Sequence, residues 1–419
     1  MRAGKGPPDV TILGAGIIGV ATALNALERG LSVEIIDERS PGEATSFGNA
    51  GVISPFSVVP QCLPGIWKDV PRWLLDPRGP VKLRWRNLPQ VLPWALSFLR
   101  NATPERVNRI ADAMALLMQH NVDVYRRHLA GTGHEGLIVD AMNVTVFRGA
   151  AKPNMQDLAL SLRTARGAGV EIIDQSDLRD LEPAIATEYH SAALIKGQAR
   201  ALDPGALCKI LADKARSAGA VLRRIRIAGL ERDAEGSIAL RTAEGSIATR
   251  KLILAGGIWS RDLLAQLGYR LPLIAERGYH LEFPDPGVSA NHSIQDAAAK
   301  VILSSMRGGI RVAGTAEFAH IDAPPNYARA RALSPLAKRL LPDLNIEGAR
   351  EWMGIRPSFP DNLPAIGPMP DLPNLIAAFG HSHYGLGMAP VTARLAVDHV
   401  IGAPNTDLSA VSPNRFLRD

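Results

Sequence analysis

The sequence predicts an α/β fold, α+β overall, that begins with a Rossmann-like unit. Residues 9–51 read DVTILGAGIIGVATALNALERGLSVEIIDERSPGEATSFGNAG. A short apolar run ends in a glycine-rich turn, a helical run extends to Arg29, and a second apolar run ends at Asp37. This order of strand, tight turn, helix and strand is half of a dinucleotide-binding unit.

Each glycine of the turn has a distinct expected role. Gly14 allows the sharp turn, Gly16 leaves room for a pyrophosphate, and Gly19 lets the helix pack closely on the strand. The helix N-terminus offers unpaired N–H groups to the phosphates, and Asp37 can accept hydrogen bonds from ribose hydroxyls. The motif alone fits NAD as well as FAD. The expected ligands in this unit are Gly14, Gly16, Ile17, Ile18, Gly19, Asp37 and Glu38.

Composition limits the classes of function. The chain has 419 residues with 47 basic and 41 acidic side chains, and its mild excess charge of +6 is dispersed. Without a basic tail or a nucleic-acid motif, we expect no nucleic-acid partner. Two cysteines, Cys62 and Cys208, indicate a reduced, cytoplasmic setting, and no metal-ligand spacing occurs. The uncharged run 10–27 resembles a signal peptide, but the dinucleotide motif explains it better.

Periodicity predicts further elements along the chain. A repeated AEGSIA, at 234–239 and 243–248, predicts a small antiparallel meander. The expected strands cover 144–148, 221–227, 279–283, 300–304, 310–315 and 375–379. The expected helices cover 104–130, 154–168, 206–217, 327–341 and 389–400.

The segment 60–100 differs in composition from the rest. It holds four of the six tryptophans, and between residues 67 and 86 there are six basic and two acidic side chains. Tryptophan with lysine and arginine suits a membrane interface. The alternative is a substrate-domain cap in which the tryptophans form part of the core. The four tryptophans are Trp67, Trp73, Trp85 and Trp94.

Seven sequence blocks, in order, resemble the FAD-dependent D-amino acid oxidase superfamily. Within it, the sequence is similar to the bacterial D-amino acid dehydrogenase branch, including D-hydroxyproline dehydrogenase-like enzymes. The blocks are GAGIIG, SFGNAGVISP, LILAGGIWS, ERGYHLEF, AGTAEF, GIRPSFPDNLPAIG and GHSHYGLGMAP. The resemblance implies a discontinuous FAD-binding domain at 8–58, 151–267 and 352–419. It also implies a substrate domain, built on an antiparallel sheet, at 59–150 and 268–351.

The resemblance further implies which residues hold FAD. The AMP end would be held by the glycine turn and by the backbone of Ile227. Gly256 and Trp259 would support the cofactor from the later strand. A C-terminal turn before a helix would stabilise negative charge on the flavin. Neither cysteine falls in a block, and Phe47 stands where a linking histidine sits in some relatives, which favours non-covalent FAD. The remaining expected FAD contacts are Ser46, Asn49, Ala50, Gly51, Val52, Ile53, Gly380, Gly385, Leu386 and Gly387.

By the same resemblance, the chemistry is hydride transfer from Cα of an amino acid to the flavin. Arg356 is the expected partner of the substrate carboxylate, the alternative being an arginine that braces a strand end. Tyr279 and His383 are candidate pocket residues, although each could equally be a satisfied structural group. Of the other polar residues, His381 is expected to be structural, His320 is a candidate for the pocket rim, and Tyr384 has no assigned role.

The sequence therefore predicts an FAD-dependent dehydrogenase of D-amino acids, including cyclic ones such as cis-4-hydroxy-D-proline. Electrons would pass to a quinone or a carrier protein, with the segment Trp67–Trp94 in peripheral contact with the inner face of the membrane. One alternative is an oxidase that uses O₂. Another is a flavin subunit of a multi-protein amino acid dehydrogenase complex.

Overall fold

The computed structural model describes residues 7–76, 79–232, 237–404 and 406–417. Its strands are β1 (Val10–Leu13), β2 (Val33–Asp37), β3 (Val52–Ile53), β4 (Val81–Leu83), β5 (Ile138–Arg148), β6 (Val170–Asp174), β7 (Tyr189–Ala201), β8 (Val221–Arg224), β9 (Gly229–Arg232), β10 (Ile238–Thr242), β11 (Gly245–Ala248), β12 (Leu252–Leu254), β13 (Ile274–Phe283), β14 (Ser293–Asp296), β15 (Val301–Met306), β16 (Gly309–Ala313), β17 (Ala316–Phe318), β18 (Arg350–Ser358), β19 (Ala365–Met369) and β20 (Leu372–Phe379). Its helices are α1 (Ile17–Glu28), α2 (Val70–Leu75), α3 (Leu88–Asn101), α4 (Pro104–Met118), α5 (Asn121–Leu129), α6 (Leu158–Thr164), α7 (Gln175–Leu181), α8 (Pro204–Ser217), α9 (Ser260–Gln266), α10 (Ala328–Arg331), α11 (Ser334–Leu340) and α12 (Gly385–Val400).

Six strands form a mainly parallel sheet in the order β19-β20-β12-β1-β2-β8. Strand β1 runs parallel to both β2 and β12, so their carboxyl ends meet at one edge, where ligands bind in open α/β sheets. Helices α1, α8 and α12 pack together and share a core with this sheet. Because α1 is covered by the other two helices as well as by the sheet, it is apolar over most of its surface. This burial accounts for the uncharged run 10–27.

Eleven strands form a larger, mostly antiparallel sheet. Strand β13 pairs with β18 along its length, which places Glu276 opposite Arg356. The glycine-rich loop after β2 is attached to this sheet through β3, where Val52 lies opposite Arg200 of β7. The two sheets therefore meet along the loop 44–53 and along β18. The mixed α/β architecture predicted from the sequence is confirmed.

Several element boundaries differ from those predicted. The helical segment 104–130 is two helices, α4 and α5, because His120 between them has a φ of +55°. The segment 327–341 is also two helices, because Pro335 lies in the first turn of α11 and cannot continue the preceding helix. Helix α12 begins at Gly385 rather than at residue 389. The meander is confirmed as β9-β10-β11, with residues 233–236 of its first turn outside the described residues.

The proposed domain boundaries do not follow the membership of the two sheets. Segment 151–267 contributes β8 and β12 to the six-stranded sheet, but β6 and β7 to the larger sheet. Strand β18 also belongs to the larger sheet. The two-domain division remains a proposal. No helix within the described ranges is long and apolar enough to span a membrane.

Candidate active site

The glycine turn between β1 and α1 is too crowded for side chains. Gly14 has a φ of +117°, and a Cβ built there would lie 2.5 Å from the carbonyl oxygen of Ala255. A Cβ on Gly19 would lie 1.8 Å from the carbonyl oxygen of Gly14. Both glycines are therefore required by backbone packing, while Gly16 faces the cleft beside the Ser46 hydroxyl.

Two polar side chains fix the turn in place. The Ala15 N–H donates to Oδ2 of Asp37 at 2.7 Å, and the Ile17 N–H donates to Oγ of Ser46 at 3.0 Å. The Arg39 N–H donates to the other Asp37 oxygen at 2.9 Å. A carboxylate has about four acceptor positions, so each oxygen of Asp37 can still accept a ribose hydroxyl. Asp37 thus organises the turn and remains available to a ligand.

The loop 44–53 is held by an arginine of the larger sheet. Arg311 donates to the carbonyl oxygens of Phe47 at 3.2 Å and Asn49 at 2.7 Å, and it pairs with Glu282 at 2.7 Å. Gly48 of the same loop lies against the Trp352 ring, where a Cβ would come within 2.0 Å. The loop is therefore fixed in a shape that exposes its backbone to the cleft.

The N-terminus of α12 opens onto the same cleft. No side chain of the described residues caps this helix, so the first N–H groups and the positive end of the helix dipole remain available. Pro390 has no N–H for the carbonyl of Leu386, and the buried Tyr125 hydroxyl donates to that carbonyl instead, at 2.7 Å. A Cβ on Gly387 would lie 2.7 Å from the sulfur of Met118, so a side chain there would require Met118 to move.

These features line one cleft of about 1630 Å³. Typical small-molecule sites have roughly 300–1,000 Å³, so the cleft can hold a dinucleotide and a substrate together. Four expected FAD contacts do not line the cleft and instead pack closely against neighbouring residues: Gly19, Gly51, Ile53 and Gly380. The expected FAD contacts that line it are Gly14, Gly16, Ile17, Ile18, Asp37, Glu38, Ser46, Asn49, Ala50, Val52, Ile227, Gly256, Trp259, Gly385, Leu386 and Gly387.

The residues present fit FAD at both ends. The turn at Gly16 with Asp37 and Trp259 suits the AMP half, and the guanidinium of Arg39 lies 4.9 Å from the centre of the Trp259 ring. The loop 44–53 and the N-terminus of α12 supply a second group of backbone donors for the ring system. The two cysteines are fully buried, and burial raises the pKa of each thiol to about 12, which agrees with flavin that is held without a thioether bond.

Arg356 lies in the cleft with its guanidinium already oriented. Its Nη1 donates to Oε1 of Glu276 at 2.8 Å and to the carbonyl oxygen of Thr315 at 3.2 Å. The guanidinium lies on Gly278, where a Cβ would come within 2.3 Å of Nη2 and 2.8 Å of Nε. The Nε–Nη2 edge has no acceptor among the described residues, so it can bind a carboxylate through two parallel bonds.

Glu276 is the buried counter-charge of Arg356. Its second oxygen accepts from Ser358 Oγ at 2.8 Å, and Ser358 in turn contacts Ser382 Oγ at 3.0 Å. Burial opposes ionisation of Glu276, but the charge of Arg356 and the hydrogen bonds from Ser358 and Arg356 outweigh it and lower its pKa. Glu276 is therefore ionised, and the Arg356–Glu276 pair has no net charge.

His383 lies beside this pair and faces the cleft. Desolvation by the surrounding protein lowers its pKa to about 4, against the attraction of Glu276. The ring is therefore neutral near pH 7 and packs on Tyr384 with a centroid distance of 3.8 Å. A neutral imidazole can donate or accept one hydrogen bond without adding charge to the site.

Tyr279 does not reach the cleft, and its prediction as a pocket residue is wrong. Side chains alternate along β13, so Glu276 and Gly278 face the cleft while Tyr279 points to the opposite side of the sheet. The Tyr279 hydroxyl donates to Glu317 at 2.5 Å and accepts from the Asn326 N–H at 3.1 Å. This side chain is 1% exposed and belongs to the core.

The remaining polar candidates have separate positions. His381 also lines the cleft, but it is buried and its Nε2 lies 2.9 Å from Oγ1 of Thr392, which is consistent with the structural role expected of it. Tyr384 lines the cleft and donates to the carbonyl oxygen of Val59 at 2.7 Å. His320 lies outside the cleft, at a small pocket of about 20 Å³.

Four residues that shape the site were not identified from the sequence: Glu276, Gly278, Arg311 and Trp352. They share strands β13, β16 and β18, and their common face is fixed by pairing across these strands. The block ERGYHLEF contained the signal for the first two, because residues 276 and 278 share one face of a strand. Only the register with β18 shows that this face holds Arg356.

Comparisons with known proteins agree with this site. The family described as FAD dependent oxidoreductase matches residues 9–399. A D-amino-acid oxidase of Bradyrhizobium diazoefficiens is 36% identical over 97% of this chain and 99% of its own length. A D-amino acid dehydrogenase of Xanthobacter autotrophicus is 30% identical over 97% of this chain and 99% of its own length. Glycine oxidase from Geobacillus kaustophilus has the same fold, with a TM-score of 0.73 at 22% identity over 97% of this chain and 98% of its own. The cleft and these matches together establish that the chain belongs to the FAD-dependent oxidoreductase family of D-amino acid oxidases.

Proposed function

We propose that this protein is an FAD-dependent dehydrogenase of D-amino acids. The observation that carries the proposal is Arg356, which lines the cleft beside the residues that fit FAD and whose Nε and Nη2 have no acceptor among the described residues. The names of relatives that match along nearly their whole length support the D stereochemistry.

The protein's own residues would bind and orient the substrate. Arg356 would hold the carboxylate through two charge-assisted bonds, worth roughly 1.5–3 kcal/mol each. Glu276 and Gly278 would keep the plane of the guanidinium fixed, so the substrate Cα has one orientation in the cleft. The N-terminus of α12 would stabilise negative charge that develops near it. When bound, FAD accepts a hydride from Cα, and the imine product hydrolyses to a keto acid and ammonia.

Anaerobic bleaching of the flavin absorbance tests this proposal. The purified holoprotein is mixed with matched D- and L-amino acids that have neutral, acidic and cyclic side chains, including both hydroxyproline epimers. We expect bleaching with D-amino acids and little with their L-enantiomers. Bleaching by L-amino acids alone would contradict the assigned stereochemistry. Activity of the purified protein alone with an artificial dye separates a self-sufficient enzyme from a subunit of a larger complex.

The electron acceptor has two candidates. An oxidase that uses O₂ is supported by the relative named D-amino-acid oxidase, at 36% identity. A dehydrogenase that uses a quinone or a carrier protein is supported by the relatives named D-amino acid dehydrogenase, at 28–30% identity. Peroxide release during turnover, compared with reduction of a soluble quinone, decides between them. Stoichiometric peroxide would identify an oxidase.

We further propose peripheral contact with the inner face of the membrane through helix α3. Trp94 faces inward and its Nε1 donates to the carbonyl oxygen of Ser358 at 3.0 Å, as expected for a core residue. Trp67 and Trp85 are 60% and 72% exposed. Four leucines on α3 form an exposed apolar row, which we call the α3 stripe. They are Leu88, Leu92, Leu96 and Leu99, exposed by 37%, 49%, 50% and 39%.

The position of α3 links the membrane to the site. Its inner face, with Val91, Trp94 and Phe98, lines the cleft, so an apolar acceptor could approach the cleft past this helix. Binding to anionic vesicles tests the contact. We expect Leu92→Ser with Leu96→Ser to lose vesicle binding and quinone reduction while dye reduction is retained. The control is Ile346→Ser, at another exposed apolar position, between α11 and β18. Vesicle binding that survives in the double variant would remove the α3 stripe from the proposal.

A further inference from the structure

Arg163 is a cleft residue to which the proposed reaction gives no role. It lies on α6, which packs through Leu162 against Val107 and Ala111 of α4. The next side chain along the helix, Arg163, lines the cleft together with Ala159. Its Nη1 donates to the carbonyl oxygen of Ala159 at 3.1 Å, which ties one end of the guanidinium to its own helix.

The charge of Arg163 has no acidic partner within the described ranges, unlike that of other arginines at or near the cleft. Arg356 pairs with Glu276 at 2.8 Å, and Arg311 pairs with Glu282 at 2.7 Å. A guanidinium has five N–H donors, and only one bond from Arg163 to protein is present in the described part of the structure. Burial lowers the pKa of Arg163, against the effect of Tyr384, so the surroundings disfavour a bare charge. An anion would relieve this cost.

A line of side chains connects Arg163 with the carboxylate-binding arginine. Tyr384 lines the cleft together with Arg163, and its ring packs on that of His383. His383 interacts in turn with Glu276 and Arg356. The Arg356–Glu276 pair is neutral overall and His383 is neutral near pH 7. Along this line of side chains, Arg163 is therefore the cation without an acidic partner in the described part of the structure.

We propose that Arg163 binds a carboxylate on the substrate side chain, so that the preferred substrates are acidic D-amino acids. This inference rests on the proposed function, in which Arg356 holds the α-carboxylate. A zwitterion with a neutral side chain has no group that would pair with Arg163, whereas a dicarboxylic amino acid has one. The planar fork of an arginine can bind that second carboxylate through two bonds.

The test compares D-glutamate with D-glutamine, which have nearly the same shape and differ in charge. In the wild-type holoenzyme, kcat/KM with D-glutamate should exceed that with D-glutamine by about 10–100-fold. This is the factor expected from one hydrogen-bonded contact between charged groups. Arg163→Gln should abolish this preference while the value for D-glutamine stays within about threefold, because a neutral amide needs no counter-charge. Arg163→Lys should restore part of the preference, since it keeps the charge without the planar fork.

Arg166→Gln is the matched control. Arg166 lies three residues further along the sequence and pairs with Asp112 at 2.6 Å, so its loss should leave the substrate ratio unchanged. Flavin content and thermal unfolding of every variant report on folding. A wild-type ratio near one, or a ratio that Arg163→Gln leaves unchanged, overturns the inference. The inference is also overturned if Arg163→Gln lowers kcat/KM equally for both substrates and shifts the flavin reduction potential, because Arg163 would then act on the flavin.

The same panel separates the two levels of the proposal. If neutral D-amino acids reduce the flavin and D-glutamate has no advantage, only the role of Arg163 fails. If no D-amino acid reduces the flavin of the wild-type holoenzyme, the proposed function fails, and this inference fails with it.

Discussion

Replacing Gly278 with alanine tests the orientation of Arg356 without removing any charge. A Cβ at residue 278 would lie 2.3 Å from Nη2, 2.4 Å from Cζ and 2.8 Å from Nε of Arg356. Ordinary contacts begin near 3.4 Å, so the guanidinium must move by about 1 Å. A displacement of about 1 Å in a positioning group can lower the rate by about 100-fold. We therefore expect kcat/KM for the preferred D-amino acid to fall by about that factor.

The expected loss is in substrate binding and orientation, with little loss of stability. The atoms that the new Cβ meets belong to the end of a flexible side chain, so the backbone of β13 can stay in place. Stopped-flow flavin reduction gives the limiting rate and the apparent Kd for substrate, and thermal unfolding reports on the fold.

The matched control is Gly136→Ala, at an exposed residue where a Cβ would meet nothing within 4 Å. It should leave both kinetics and stability unchanged. If Gly278→Ala keeps wild-type kcat/KM, the carboxylate does not bind on this face of Arg356. If the variant fails to incorporate FAD, the substitution at residue 278 disturbs the FAD-binding part of the cleft as well as the position of Arg356.

Three further predictions concern single groups. Arg356→Ala should lower kcat/KM by about 100-fold or more, because two charged hydrogen bonds are lost, and unchanged steady-state kinetics would remove Arg356 from the site. Burial lowers the pKa of His381 to about 3, so the unfolded state binds more protons below about pH 6.5 and stability should fall as the pH drops from there towards 3. The thermal stability of His381→Gln should depend less on pH in that range than that of the wild type. Identical pH profiles for the two proteins would contradict a lowered pKa of His381. Tyr125→Phe leaves the Leu386 carbonyl without a donor, since Pro390 has none, and should cost about 1–3 kcal/mol in chemical unfolding. A cost near zero would mean that another donor reaches that carbonyl.

Much of the nucleotide-binding half could be predicted because its constraints are local. Gly14 and Gly19 are required by contacts with neighbouring backbone, and Asp37 follows one strand of a βαβ unit. Such constraints act over short stretches of sequence and leave a recognisable spacing. The break at His120 was missed, because a positive φ at a non-glycine residue has no sequence signature.

The substrate half was predicted less well because its constraints are non-local. Arg356 was identified from its block, but the partners that orient it come from β13, about 80 residues earlier. Tyr279 was chosen as a polar residue in a matching block, and strand alternation places it on the far side of the sheet. Arg163 lies outside every block and gains its position from the packing of α6 on α4.

The sequence by itself determined that a dinucleotide-binding turn opens the fold, and that its glycines and Asp37 are arranged for a pyrophosphate and a ribose. Only the tertiary structure decided which face of β13 looks into the cleft. Periodicity shows that residues 276 and 278 share a face, yet it cannot show which face is inside, because that depends on pairing with β18. The same pairing gives Arg356 its counter-charge in Glu276.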